Sequence, residues 1–190
     1  PVTQAMGGGA AKPRPEPTAQ KIGGGGRRAP ERGCSGDDAL SPEVHVNIHG
    51  KCHCGNLSFT LDWPGETPEI PARACGCSFC VRHGAAWTSH PGATLVAAVR
   101  DAALHSRYEF ETRTATFHVC ARCGAVPLVT CELDGHLHAV VNVTAFDGVD
   151  PRSIRRSAAT FEGEDIDSRL ARRKRNWISN VRLTGGAHAP

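Results

Sequence analysis

KCHCGNLSFTLD, residues 51–62, sets two cysteines one residue apart, follows them with a glycine, and then alternates. Leu57, Phe59 and Leu61 fall on one face and Ser58, Thr60 and Asp62 on the other, which is the period of a half-buried strand. An extended C-x-C points both sulfurs the same way, and Gly55 can turn the chain tightly behind them. A pair of thiols leading directly into a strand offers two of the four ligands of a structural metal site. DWPGETP, residues 62–68, is turn chemistry and closes the strand.

Working outward, the alternation recurs. VHVNIH (44–49) precedes the pair, and TLVAAV (94–99), SRYEFE (106–111), TATFHV (114–119), VPLVTC (126–131) and LHAVVNV (137–143) follow it. Many short strands with turns between them predict a mainly β domain over residues 44–150. The two ends read differently. Residues 1–43, Gly/Pro-rich and poor in apolar side chains, are expected as a disordered tail. Residues 151–183 are expected as a C-terminal helical segment packed on the domain. Asp150 suits a cap, Pro151 suits the first helical position, and Ile166, Leu170, Trp177, Ile178 and Val181 recur at helical spacing among basic residues.

Nine cysteines would suit a disulfide scaffold, but seven of them sit in tight clusters, which reads as metal binding in a reducing compartment. No apolar run approaches the ~18 residues of a membrane span. No secretory h-region follows the early charges, and a cytoplasmic location is expected. The chain starts at Pro1 with Met6 its single methionine, which leaves two expectations, a processed chain or a misassigned start. Cys131, after VPLVT, is expected as a buried apolar residue. The net charge of +3 is uneven: about −3 over residues 51–150 and about +5 over 151–190.

Cys52 and Cys54 together with the C-x-x-C of CARCG, Cys120 and Cys123, make a closed four-thiolate site. ACGCSFC, residues 74–80, then offers three more ligands, Cys75, Cys77 and Cys80. A catalytic zinc keeps three protein ligands and one open position. Two other readings remain at this point. His83 could close the set as Cys₃His, or Cys77 and Cys80 could cycle to a disulfide without metal.

GKCHCGNLSFTL (50–61), ACGCSFCVRHG (74–84), FHVCARCG (117–124) and VVNV (140–143) resemble the glutathione-dependent formaldehyde-activating enzyme family, which shares its domain with centromere protein V. The resemblance implies a zinc-stapled, Mss4-like β fold and two Zn²⁺. Cys52, Cys54, Cys120 and Cys123 would hold a structural zinc, and Cys75, Cys77 and Cys80 a catalytic one. It implies a carbon–sulfur lyase that makes or cleaves S-hydroxymethylglutathione, with glutathione or another thiol and formaldehyde or a small aldehyde as its partners. On such a site His83 is the nearest group to pass a proton, and Arg82 or Arg122 could meet a carboxylate. The alternative is a non-catalytic, zinc-stapled binding module using the basic C-terminal helix. No RNA-binding aromatic motif or major-groove module is visible, so nucleic acid is not an expected partner.

Overall fold

A computed structural model describes residues 44–65 and 69–185, and the expected tail over 1–43 lies outside them. The strands in chain order are β1 (His45–Lys51), β2 (Leu57–Pro64), β3 (Ile70–Cys75), β4 (Ala86–Thr88), β5 (Thr94–Val99), β6 (His105–Tyr108), β7 (Thr116–Cys120), β8 (Leu128–Leu133), β9 (His136–Asn142), β10 (Ile154–Ala159) and β11 (Asn180–Thr184). Two α-helices join them, the short α1 (Ser78–Arg82) and α2 (Ile166–Asn176). The expectation of a mainly β fold with a C-terminal helix is met.

Two sheets form among the described residues. One has the order β1-β2-β5-β11 and the other β10-β3-β4-β9-β8-β7-β6. Alternation explains the first sheet. Leu57, Phe59, Leu61 and Trp63 of β2 are buried, as are Leu95, Ala97 and Val99 of β5. Most of them share one apolar cluster with Ile70, Ala72, Leu128, Ala139 and Val141 of the second sheet, so this core lies where the two sheets meet. Each large side chain buried there stabilises the fold by about 1.5–3 kcal/mol. No helix among the described residues is long and apolar enough to cross a membrane.

The C-terminal part departs from the expected 151–183 helical segment. Asp150 does cap, with its side chain accepting from Arg152 N, but the turn it starts is a single 3-10 turn, Pro151–Ser153. The chain then extends as β10 and pairs in parallel with β3, where a sheet edge offers backbone partners. The longer helix, Ile166–Asn176, is N-capped by Asp165, which accepts from Ser168 N, and C-capped by Trp177. Trp177, Ile178 and Val181, expected on the helix, lie beyond it. Ile178 exchanges both backbone hydrogen bonds with Ala139 of β9, and Val181 belongs to β11. Ile166 is exposed. The shared spacing of apolar residues hid a helix-to-strand change at Trp177. SRYEFE also stops early as a strand, because Glu111 and Arg113 take φ of 51° and 52° and break the ladder.

Gly50 shows how closely β1 and β2 approach the connection after β9. A Cβ there would meet Phe59 Cε2 at 2.7 Å and the Ala145 carbonyl at 2.8 Å. Neither the backbone nor a buried ring can yield cheaply. Gly50→Ala is expected to destabilise the domain by about 2–3 kcal/mol. Denaturant titration should show a lower midpoint with an unchanged slope.

Candidate metal centres and the adjoining cleft

The first cysteine cluster sits where hairpin turns from the two sheets meet. Cys52 and Cys54 lie in the β1–β2 turn, Cys120 ends β7, and Cys123 lies in the loop to β8. Gly55 and Gly124 follow the two pairs at φ 73° and 74°, the left-handed geometry that lets each turn curl behind its thiols. Their backbones close the knuckles: Gly55 N donates to Cys52 O and Gly124 N to Cys120 O, both at 2.8 Å. Asn56 fastens the turn by donating to the carbonyls of Asp101 and Leu104 while accepting from Asp101 N.

All four sulfurs lie within 4.8 Å of one another. Cys52 Sγ is 3.7 Å from Cys54 Sγ, which is 3.4 Å from Cys120 Sγ. A tetrahedron of 2.3 Å zinc–sulfur bonds has edges of about 3.8 Å, whereas a disulfide would draw two sulfurs to ~2.05 Å. Leu57 N donates to Cys52 Sγ at 3.2 Å, a bond suited to a thiolate. Cys52 and Cys120 are sealed from solvent. Donor set, spacing and burial all fit a closed structural site.

The second cluster is local. Cys75 ends β3, Cys77 caps α1 with its sulfur 3.5 Å from Cys80 N, and Cys80 lies within α1. These three sulfurs also lie within 4.8 Å of one another, and among the described residues no histidine or carboxylate joins them. His83 is exposed and packs against Phe79 with ring centroids 4.4 Å apart at a tilt of 40°, and it does not join the three thiols. Trp87 from β4 donates its indole N–H to Cys80 Sγ at 3.2 Å, an orienting bond from outside the ligand set. Neither cysteine cluster contains a disulfide; all seven thiols are free.

Each cluster shares protons unevenly. The hydrogen bond from Cys80 holds Cys75 down at about 5, against the opposing effect of burial, and the same bond pushes Cys80 up. Burial pushes Cys120 up to about 12. Burial also raises Cys123, but the backbone N–H groups of Ala125 and Cys54, with further hydrogen bonds from the Cys120 and Cys54 thiols, outweigh it and leave that thiol at about 6. A divalent cation would take the place of the protons such groups share.

The two clusters differ in what lies beside them. Cys75, Cys77 and Cys80 border a cleft of about 400 Å³. Its apolar walls are Trp87, Phe110, Phe117 and Trp177, with Phe79 packed behind Phe110 and Phe117 at 5.3 and 4.8 Å. Its charged groups include Arg73 and, from α2, Arg169, Arg172 and Arg173.

The family model of the glutathione-dependent formaldehyde-activating enzyme matches residues 47–164, a span that takes in both clusters. The chain belongs to that family. The crystal structure of a Rhodobacter sphaeroides protein is 31% identical over 57% of this chain and 99% of that one, with a TM-score of 0.41. No curated protein matches.

Within this family member, the seven cysteines singled out in the sequence come together as four and three. The other residues considered do not reach the cleft. Arg82 is exposed and donates to Ser78 O, Arg122 is exposed beside the first cluster, and neither they nor His83 line the cleft wall. Trp87, Arg73 and the arginines of α2 were not legible as site residues.

The basic residues of α2 are mostly engaged within the fold. Arg172 binds Glu164 with two hydrogen bonds of 2.7 and 2.8 Å and lies over the Phe161 ring at 3.9 Å. Arg169 joins Glu111 and Glu164, and Lys174 joins Asp134. Arg173 is buried, donating to Thr114 O and Oγ1 and to Cys131 Sγ. Cys131 is buried, as expected.

Arg172 holds the Glu164 carboxyl below its ordinary 4.5, with burial opposing. A carboxylate with a depressed folded value contributes stability above the unfolded value and loses it as pH falls through the folded one. Stability from this pair should therefore be complete above about pH 4.5 and fade below it. Glu164→Gln should flatten the acid limb of a stability–pH profile while changing the neutral-pH slope little. An acid limb identical to the parent's would show that the pair contributes nothing.

Proposed function

We propose that this chain is a zinc-dependent carbon–sulfur lyase that forms or cleaves the adduct of a thiol, glutathione foremost, with formaldehyde. The observation that carries this reading is the asymmetry of the clusters: four thiols gathered between the sheets, with Cys52 and Cys120 fully buried, and three thiols opening on a cleft. Family membership supports glutathione and formaldehyde as the substrate pair.

Zinc held by Cys75, Cys77 and Cys80 would supply Lewis acidity and a soft fourth position suited to a substrate sulfur. A second zinc, held by Cys52, Cys54, Cys120 and Cys123, would be structural. In the forward direction the substrate sulfur bonds to the carbonyl carbon. The carbonyl π pair passes to oxygen, and the proton given up by the thiol ends there. Nothing is oxidised or reduced. Thiols add to formaldehyde unaided, so the chain contributes mainly by positioning. Trp87 orients Cys80, and Phe110 and Phe117 hold water away from one side. All seven cluster thiols must stay reduced, which suits a cytoplasmic setting.

The binding-module reading has less support, because Arg169, Arg172 and Lys174 are already paired with carboxylates and Arg173 is buried. Calorimetric titration of glutathione into zinc-loaded protein tests the proposal. Saturable binding that disappears in Cys77→Ala is expected. Absence of binding to the parent protein would remove glutathione from the account.

A further inference from the structure

Positive charge is in excess around the cleft. Arg73, Arg169, Arg172 and Arg173 line it against Glu111 and Glu162. Arg169 and Arg172 are matched by Glu111 and Glu164, and Arg173 is buried, with its Nη1 donating to Thr114 and Cys131. Arg73 remains. Among the described residues no carboxylate forms an ion pair with it.

Its placement is specific. Arg73 and Cys75 alternate on β3 and so face the same way, with Cα atoms ~6.6 Å apart along the strand. Trp87 lies directly across from Arg73 on β4, and its indole reaches Cys80. Arg73, Cys75 and Trp87 all line the cleft. One end of the guanidinium is anchored: Arg73 Nη2 donates to Ser89 Oγ at 2.9 Å. The Ser89 hydroxyl spends its own proton on Asn176 O at 2.7 Å, so it can only accept from Arg73. A guanidinium has five N–H donors in a planar fork. The donors not used on Ser89 have no protein acceptor among the described residues, and Arg73 lines the cleft.

We propose that Arg73 selects the thiol: its free donors bind a carboxylate of the substrate, so the cleft prefers a small thiol acid of the glutathione type to an uncharged thiol. This rests on the thiol-adduct reading above. The sulfur goes to the three-cysteine cluster and the carboxylate to the guanidinium fork. Arg73 touches the part of the substrate that does not react, so its effect falls on binding and KM rather than on the chemical step. Ser89 and Asn176 act through Arg73 as positioning residues.

The test uses the zinc-loaded full chain with Arg73→Gln and Arg73→Lys, and three thiols: glutathione, its diethyl ester and 2-mercaptoethanol. For Arg73→Gln, glutathione binding should weaken by about 10- to 100-fold. The ester and 2-mercaptoethanol should bind as they do to the parent, the zinc content should be unchanged, and Arg73→Lys should recover part of the loss. Equal weakening of all three thiols, or loss of zinc, would overturn the proposal by showing that Arg73 serves the cluster or the fold. Unchanged glutathione binding would overturn it too. A parent protein that binds the ester as well as glutathione would reject the role of Arg73 and leave the thiol site standing. A parent that binds none of the three would reject both.

Discussion

Replacing Cys120 by alanine should cost the domain about 4 kcal/mol or more, a large share of the ~5–15 kcal/mol that holds such a fold together. The size follows from position. Cys120 ends β7 in the seven-stranded sheet, and its cluster partners Cys52 and Cys54 lie in a turn of the four-stranded sheet. Cys54 and Cys120 are 66 residues apart, so a metal joining them closes a long loop and removes much freedom from the unfolded chain. The cluster also packs with Leu57 and Val99 as a small apolar core of its own. Circular dichroism with zinc analysis should report loss of cooperative unfolding and of bound metal together. A folded Cys120→Ala protein that binds little zinc would show that apolar packing between the sheets suffices, and that the four-cysteine site is not a staple.

Cys77→Ala should do the opposite: activity and one equivalent of zinc disappear while the fold remains. Cys75, Cys77 and Cys80 span six residues at the end of β3, so a metal held there would close only a short loop and contribute little to global stability. Cys77 is half-buried at the cleft and not in the packed core. The fall in adduct formation should reach the uncatalysed background, at least ~100-fold, because the position that seats the thiol is lost. The unfolding midpoint should move little. If Cys77→Ala retained catalysis with one zinc per chain, the reaction would have to be placed away from this cluster.

The contrast between the two clusters is legible in the sequence, and for a physical reason. Metal ligands close in sequence form chelate pairs, so C-x-C, C-x-C-x-x-C and C-x-x-C carry their chemistry in their spacing. Strands β2 and β5 are equally plain, since one buried face alternates with one half-exposed face. Strand β3 is not, because Pro71 and the small side chains of Ala72 and Ala74 leave almost no pattern to read. Strand β10, IRRSAA, is largely exposed and is specified by the open edge of β3 rather than by its own side chains. The boundary at Trp177 is hidden because Ile178 is buried both by a helical count and by its actual bridge to Ala139. The walls of the cleft come from β4, β7, β9 and α2, which are distant in sequence. No local pattern could bring Trp87, Arg73 and Arg172 together around the thiols.

The central claim is that the three-cysteine cluster speeds the joining of a thiol to formaldehyde. It is tested most directly by the exchange rate between glutathione and S-hydroxymethylglutathione at fixed formaldehyde, read by magnetisation-transfer NMR. The rate should rise in proportion to zinc-loaded protein, fall to background with Cys77→Ala, and leave the equilibrium ratio of the two species untouched. A rate with fully zinc-loaded protein equal to that of buffer alone would contradict the account.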